Sequence, residues 1–328
     1  MNCNITAVVV TYNRLELLKK SIAQLQRQPD LTHILVVNNG STDGTREWLD
    51  SQPDITVVHQ ENVGGSGGFH TGIKRAYDDG ADWIWCMDDD VFAREDCLAE
   101  LLKNLQGADL LMPRRMMEGR IFTHEFRRFN FSNPLTSMKQ GKLAKEEVNG
   151  TTDIAGADFE GPFFSRRVVE KIGLPNKDLF IFCDDTDYCL RAHLAGFTMR
   201  YVPTAILDKH RFFADDTWAE RNRKKKWKRY YQVRNTTYLN HHYGQNWAVR
   251  HLRPLIGMMG YYVPALLTMP FSRAWQWRDL HMLRQAYTDG LHERLGPHPQ
   301  PLSDWRGEYI VLESGSNHSP LQSERGRG

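Results

Sequence analysis

Short apolar runs alternate with amphipathic segments over the first hundred residues, and this order limits the folds open to the chain. The run "ITAVVV" (5–10) precedes a segment in which leucine and isoleucine recur every three or four residues, as on one face of a helix. The runs "HILVV" (33–37), "ITVV" (55–58) and "WIWCM" (83–87) alternate with helical segments in the same way. Wholly apolar strands separated by helices indicate a parallel sheet covered on both faces. We therefore predict an α/β fold with a mixed, mostly parallel sheet.

Polar loops follow these strands, and ligands bind open parallel sheets at the carboxyl ends of the strands. The loops are "TYNR", "NNGSTDG", "NVGGSGG" and "DDD". The glycines of the third loop permit close approach of the backbone to a ligand, and the helix behind it, predicted near 71–77, offers free N–H groups to an anion. The glycine spacing matches neither the Walker pattern nor the Rossmann fingerprint.

Three consecutive carboxylates, Asp88, Asp89 and Asp90, stand directly behind the apolar run that ends at residue 87. In an extended chain, Asp88 and Asp90 point to one side and Asp89 to the other. Two carboxylates on one side form an oxygen pocket for Mg²⁺ or Mn²⁺, which takes its other ligands from water and substrate phosphates. An acidic turn or helix cap is the alternative, but the place of the triplet at the end of a central strand favours a cation site.

A second acidic group, Asp184, Asp185 and Asp187, begins a helical segment. The helix dipole favours ionised carboxylates there, and capping explains one or two of the three. An ionised carboxylate near a substrate can take a proton from an attacking hydroxyl, as a general base does. His210 follows another apolar strand and could complete a metal site, although a lone histidine is more often structural.

Charge and cysteine content restrict the classes of partner and the compartment. The net charge is only +2, so the chain as a whole is not a polyanion binder, and partners must be argued from local clusters. The five cysteines show no paired metal spacing, and the N-terminus lacks the features of a signal peptide. We predict free thiols and a cytoplasmic location.

Two segments near the C-terminus indicate a surface partner. The stretch "RNRKKKWKR" (221–229) holds seven basic residues, which suits a solvated helix face, a nucleic acid or anionic lipid headgroups. No nucleic-acid-reading element is visible, so we predict no nucleic-acid partner. The uncharged stretch 255–271 contains proline and glycine and is short for a membrane span. We predict a peripheral protein on the inner face of the cell membrane; a helical extension packed on the domain, or a homo-oligomer contact, is the alternative.

The motifs, taken in order, resemble a known family. "AVVVTYNR", "VVNNGSTDGT", "NVGGSGGF", "WIWCMDDD", "FIFCDDTDYCLRAHLAGF" and His210 are similar to the inverting family 2 glycosyltransferases with the GT-A fold, over about residues 4–240. The pairing of "NVGGSGGF" with "GADWIWCMDDD", and the later "YYQVRNTTYL", resemble the bacterial galactofuranosyltransferases and related rhamnosyltransferases. The Gln-x-x-Arg-Trp motif of the processive synthases is absent, which implies transfer of one or a few sugars.

The resemblance also implies roles for particular residues. It implies that Asp88 and Asp90, with His210, bind Mn²⁺ or Mg²⁺ bridging the donor diphosphate, and that Asp185 is the base with Asp184 beside it. The residues that the resemblance places around the donor nucleotide are Thr11, Tyr12, Arg14, Asn38, Asp43, Gly64, Gly65, Asp88 and Asp89. Asn38 stands where the family usually has aspartate facing uracil. The resemblance therefore favours a UDP-sugar as the donor but does not determine the nucleotide.

These observations predict an enzyme that moves galactofuranose from UDP-galactofuranose onto a lipid-linked or polysaccharide glycan, such as a cell-envelope O-antigen. The alternatives are a rhamnosyltransferase that uses dTDP-rhamnose and a sugar-nucleotide binding protein without turnover. The expected organisation is a GT-A domain at 1–215 with a nucleotide-sugar half at 1–112 and an acceptor half at 113–215. A basic and aromatic helical extension at 216–312 and a disordered tail at 313–328 follow.

Overall fold

The computed structural model describes residues 3–143, 150–211, 220, 225–271 and 275–298. Residues 221–224 of the predicted basic stretch, the predicted domain boundary at 215 and the tail at 313–328 lie outside the described residues.

Strands and helices alternate through the first half of the chain as predicted. The strands are β1 (Ile5–Thr11), β2 (His33–Asn39), β3 (Thr56–Gln60), β4 (Trp83–Asp88), β5 (Val91–Ala93), β6 (Leu110–Met117), β7 (Arg120–Phe122), β8 (Phe126–Phe129), β9 (Lys139–Lys142), β10 (Thr152–Ile154), β11 (Phe163–Ser165) and β12 (Met199–Lys209). The helices are α1 (Leu15–Leu25), α2 (Thr45–Asp50), α3 (Gly64–Asp78), α4 (Cys97–Lys103), α5 (Arg166–Ile172), α6 (Asp184–Leu194), α7 (Lys228–Tyr243), α8 (Arg253–Thr268) and α9 (Trp277–Leu291).

The main sheet has the order β10-β12-β6-β11-β4-β1-β2-β3. In addition, β5 pairs with β12, and β7 pairs with β6. Strands β4, β1, β2 and β3 run parallel, as do β6 and β12, whereas β11 is antiparallel between β4 and β6. Strands β8 and β9 form a separate hairpin. The predicted α/β fold with a mixed, mostly parallel sheet is confirmed.

The central strands β1, β2 and β4 are mostly apolar and are buried on both faces. On β1, Val8 and Val10 pack in the core cluster that contains Phe69 and Ile73 of α3. Their neighbour Val9 packs on the opposite face, in the cluster that includes Leu18 and Ile22 of α1. The alternation of side chains along a strand thus produces two cores and explains the unbroken apolar runs.

The prediction of a glycine-rich loop before a helix near residue 71 is wrong, because helix α3 already begins at Gly64. A Cβ added at Gly68 would lie 2.5 Å from Val10 Cγ1, and one at Gly72 would lie 2.4 Å from Val8 Cγ1. These glycines let the helix backbone approach β1 closely. Their main role is therefore packing of helix on sheet.

Two further segments form strands. The segment after residue 113 forms the end of β6, strand β7 and the β8–β9 hairpin. Residues 199–209 form one long strand, β12, whose register against β6 shifts between Val202 and Ile206.

The C-terminal helices pack on one another and on the loop before α6. Tyr231 of α7 stacks on Phe180 of that loop, with ring centroids 4.8 Å apart. Met258 of α8 and Leu283 of α9 belong to the same apolar cluster. Among the described residues, no helix is long and apolar enough to cross a bilayer.

Candidate active site

One cleft of about 1250 Å³ lies at the carboxyl ends of β1 and β4. Its lining includes all three residues of the acidic triplet and, from the start of α6, Asp184 and Asp185. Residues of α7 and α8 form a further wall. The structure therefore brings together the two acidic groups that the sequence analysis singled out.

The acidic triplet does not continue the alternation of a strand. Strand β4 ends at Asp88, and the chain turns at the next two residues. Asp89 accepts hydrogen bonds from Thr11 Oγ1 (2.7 Å) and from Arg14 Nη1 (3.0 Å). The same Arg14 nitrogen lies 3.6 Å from Asp90 Oδ2. Asp89 and Asp90 thus share one guanidinium, and the prediction that they point to opposite sides is wrong.

Lys209 contributes a second positive charge to the triplet. Its Nζ lies 3.3 Å from Asp90 Oδ2 and 2.7 Å from Glu160 Oε1. Burial raises the pKa of Asp88 well above its usual value, and the negative charges of Asp90 and Glu160 raise it further, while Lys209 lowers it. The pocket around Asp88 is therefore short of positive charge.

A buried arginine continues this network away from the triplet. Arg115, which is fully buried, lies 2.5 Å from Glu160, 2.7 Å from Glu125 and 2.8 Å from Asp158. His124 Nδ1 lies 2.7 Å from Asp158 Oδ2. Burial acts to raise the pKa of Asp158, but the Arg115 guanidinium, the hydrogen bond to His124 and the charge of Lys139 together outweigh burial and hold this pKa below its ordinary range.

The charges along this network suit a divalent cation. Four permanent cations face six carboxylates: Arg14, Arg115, Lys139 and Lys209 against Asp88, Asp89, Asp90, Glu125, Asp158 and Glu160. Within the described ranges, no three His, Cys, Asp or Glu side chains are arranged to hold a metal alone. A cation here would take one or two carboxylates and complete its shell with substrate phosphates and water, as Mg²⁺ commonly does.

His210 contacts the acidic triplet through its backbone N–H. Its N–H donates to the carbonyl of Asp90 (2.9 Å), while its side chain is exposed. It does not belong to the described lining of the cleft. Its role as a metal ligand stays a prediction.

Asp185 has the properties that a general base needs. Burial raises its pKa to about 6, with Lys139 lowering the value and Asp158 raising it. Asp185 Oδ1 accepts a hydrogen bond from Thr186 Oγ1 (2.8 Å). Burial, and then the charge of Asp185, raises the pKa of Asp184 to about 7. A carboxylate whose pKa is raised accepts a proton more readily than an ordinary carboxylate does.

The predicted nucleotide residues divide into two sets. Thr11, Tyr12, Arg14, Gly64 and Gly65 line the cleft, as do Asn39 and Asn62, which the sequence analysis did not select. Asn38 and Asp43 are not in the described lining.

Asn38 and Asp43 instead support the loops behind the cleft. The Asn38 Nδ2 and His59 Nδ1 atoms lie 3.1 Å apart, and Asn38 Oδ1 accepts from the Ser41 N–H (3.0 Å). Asp43 Oδ2 accepts from the Leu15 N–H at the start of α1 (3.0 Å). In this structure, both side chains are engaged in fixing the loops that follow β1 and β2.

The fold is the GT-A fold, and the family that the sequence matches is one of glycosyltransferases. The crystal structure of GalNAc-T7 with UDP, GalNAc and Mn²⁺ superposes with a TM-score of 0.54 at 11% identity, over 89% of this chain and 56% of that one. Residues 6–173 match the family described as Glycosyl transferase family 2, and the chain belongs to this family.

Two curated relatives have narrower names. The chain is 29% identical over 211 residues to galactofuranosyltransferase GlfT1 of Mycolicibacterium smegmatis, covering 61% of this chain and 69% of the relative. It is 28% identical over 213 residues to the dTDP-rhamnosyl transferase RfbF of Shigella flexneri, covering 62% and 68%. The predicted resemblance to family 2, including both subgroups, is confirmed.

Proposed function

We propose that the protein is a metal-dependent inverting glycosyltransferase that moves galactofuranose from UDP-galactofuranose onto a lipid-linked or polysaccharide glycan. The observation that carries this proposal is that the acidic triplet at β4 and the acids at the start of α6 line one cleft. A transfer reaction needs a site for the donor diphosphate and a separate base for the acceptor hydroxyl. The two acidic groups supply one each.

In the proposed reaction, Asp185 takes the proton of an acceptor hydroxyl. The hydroxyl oxygen forms a bond to the anomeric carbon of the donor as the bond from that carbon to the diphosphate breaks, and the nucleoside diphosphate leaves with the electron pair. Attack from the face opposite the leaving group inverts the configuration. Asp88 and Asp90 would hold Mn²⁺ or Mg²⁺, which supplies positive charge against the leaving diphosphate. Arg14, beside Asp89, adds a fixed positive charge at this end of the cleft.

The donor assignment draws on the similarity to GlfT1, and the similarity to RfbF favours dTDP-rhamnose as the second candidate. A sugar-nucleotide binding protein without turnover is the candidate from another class. It would not require Asp185 in the cleft with a pKa of about 6.

A donor panel tests the assignment. We expect nucleotide release from UDP-galactofuranose, with Mn²⁺ and a lipid-linked disaccharide acceptor, to exceed release from dTDP-rhamnose by about 100-fold, since a site that pairs with a sugar's polar groups rejects a poor match strongly. Turnover of dTDP-rhamnose alone would refute the sugar and keep the enzyme class. Tight nucleotide binding with no turnover of any donor would favour the binding protein.

We further propose that the protein works on the inner surface of the cell membrane, with α8 lying at that surface. The outward face of α8 exposes apolar side chains: Ile256, Met259, Val263, Leu266 and Leu267. No charged residue occurs from Pro254 to Phe271. The inner face of α8, including Gly257 and Gly260, lines the cleft. A lipid-linked acceptor at the membrane would therefore lie next to the cleft wall.

Basic residues near this helix suit an anionic lipid surface. Lys225, Lys228 and Arg229 precede or begin α7, and Arg229 Nη1 lies 3.3 Å from the hydroxyl of Tyr261 on α8. Apolar insertion and attraction to anionic headgroups add in the binding of interfacial helices.

Vesicle co-sedimentation measures this attachment. The double variant Ile256→Gln with Leu267→Gln should weaken binding to anionic vesicles at least about tenfold, because each apolar side chain contributes on the order of 1.5–3 kcal/mol when buried. Leu194, which is 66% exposed at the end of α6 that lies away from the cleft, provides the matched control Leu194→Gln, which should bind as the unaltered protein does. Equal binding by the double variant and the control would contradict the proposed surface.

A further inference from the structure

The loop before α6 has an unusual backbone for residues with side chains. Phe180, Phe182 and Cys183 have φ values of 64°, 68° and 65°. This left-handed region is sparsely populated by residues other than glycine, and such conformations persist only where the surroundings hold them. The loop leads directly into Asp184 and Asp185 and lines the cleft. Something outside the loop must therefore hold it.

Asn235 of α7 holds the loop from one side. Its Nδ2 lies 2.9 Å from the carbonyl oxygens of Leu179 and Ile181 and 2.8 Å from that of Phe182. One side-chain amide thus contacts three carbonyls of the loop, and it is fully buried. Arg234 Nε donates to Asn235 Oδ1 (2.8 Å), which orients the amide with its N–H groups toward the loop.

Arg234 adds direct contacts of its own. Its Nη2 donates to the carbonyls of Leu179 (2.9 Å) and Asp178 (3.2 Å). The side chain is buried, and within the described residues no carboxylate oxygen lies within ion-pair distance of it. Burial of a cation without a carboxylate partner costs free energy. The hydrogen bonds from Arg234 to the carbonyls of the loop offset part of this cost.

Helix α3 supports the loop from the opposite side. The Ser66 N–H donates to the carbonyl of Phe180 (3.1 Å). A Cβ at Gly64 would lie 2.1 Å from that same oxygen, so only glycine permits this approach. The loop is therefore clamped between α3 and α7.

We propose that Arg234 and Asn235 are positioning residues, which hold the left-handed loop and thereby place the Asp185 carboxylate in the cleft. This inference rests on the proposed function, in which Asp185 is the base. It gives the C-terminal helices a part in catalysis: without α7, the start of α6 would relax toward ordinary backbone conformations. The base would then lose its alignment with the acceptor hydroxyl, while the donor side, held by β1 and β4, would stay intact.

A double-mutant cycle tests the proposal. Asn235→Asp keeps the volume of the side chain and the contact with Arg234, but it replaces both N–H donors by an oxygen that the loop carbonyls repel. Asn235→Ala is the second variant, which removes the donors without adding a charge. We expect kcat to fall about 30-fold or more in both, with nucleotide affinity changed by less than about twofold, because only acceptor activation is impaired. In an Asp185→Asn background the same changes should lower kcat by less than about threefold, since the two sites act as one unit.

Asn240→Ala is the matched control. Asn240 is equally buried on α7, but its Nδ2 donates to the Thr236 carbonyl within the same helix and not to the loop. It should keep kcat near that of the unaltered enzyme. Equal losses from Asn235→Asp in both backgrounds, or full activity of Asn235→Asp, would overturn the positioning role while leaving the proposed function in place. Full turnover by Asp185→Asn alone would overturn the proposed base itself.

Discussion

Replacing Asp185 by asparagine should lower kcat by about 10²–10⁴-fold, the range that a positioned general base contributes. Asparagine has nearly the same shape and can still accept a hydrogen bond from Thr186, so the start of α6 should keep its structure. It cannot take a proton from the acceptor hydroxyl. Steady-state transfer assays, with nucleotide affinity measured by calorimetry, separate loss of the base from loss of donor binding.

Asp178 provides the control for this variant. Its side chain is exposed, seven residues before Asp185, and it is not in the described lining of the cleft. Asp178→Asn should leave transfer unchanged. If Asp185→Asn transfers sugar as fast as Asp178→Asn, another group accepts the proton and the proposed mechanism is wrong.

Removal of the divalent cation should have an effect of similar size. A chelator should reduce transfer by about 100-fold or more, equivalent to about 2.7 kcal/mol of transition-state stabilisation, and Mn²⁺ should restore it. Asp88→Asn should imitate this loss and resist rescue by Mn²⁺. Asp88 is the sharper target because, within the described residues, no salt bridge involves it, so its replacement leaves the Arg14 and Lys209 pairs intact.

Asp208→Asn is the comparison for Asp88→Asn. Asp208 lies on β12 and pairs with Arg94 at the surface (2.9 Å), outside the described lining of the cleft. It should respond to chelator and Mn²⁺ as the unaltered enzyme does. Full transfer in chelator by the unaltered enzyme would show that the cations Arg14 and Lys209 suffice for the leaving group.

Local patterns in the sequence were enough to predict the sheet and the two acidic groups. Apolar runs such as residues 5–10 and 83–87 are buried on both faces, and this burial requires apolar residues at every position, which a sequence displays directly. Asp88–Asp90 and Asp184–Asp185 were visible because each group directly follows or begins a regular element. The parallel order of the strands places Asp88–Asp90 at the ligand-binding edge of the sheet, whereas the approach of the start of α6 to that edge depends on tertiary packing.

The features that escaped prediction depend on contacts between distant parts of the chain. The glycine run that ends at Gly68 predicted a loop, but Gly68 and Gly72 both lie in α3, where they contact Val10 and Val8 of β1. The ion pairs of Arg115 join residues from three separate segments. In "ADFEG" the acids Asp158 and Glu160 alternate with apolar residues just before β11, a signal that could have marked them as facing one side.

The clamp on the loop before α6 was also beyond reach from the sequence. Nothing in "FIFCDD" indicates left-handed backbone at Phe180, Phe182 or Cys183, since none is a residue type that favours it. The motif "YYQVRNTTYL" was noticed only as a family resemblance. Its Arg234 and Asn235 acquire a physical role once their bonds to the loop carbonyls are known.

The most direct test of the central claim is a crystal structure with UDP and Mn²⁺, with the cation located by its anomalous scattering. The account predicts an anomalous peak within coordination distance of Asp88 or Asp90 that touches the diphosphate, with Asp185 across the same cleft and free of metal. A peak at Asp184 and Asp185, or a diphosphate bound away from the acidic triplet, would contradict the assignment of cation binding to the triplet and of proton transfer to Asp185.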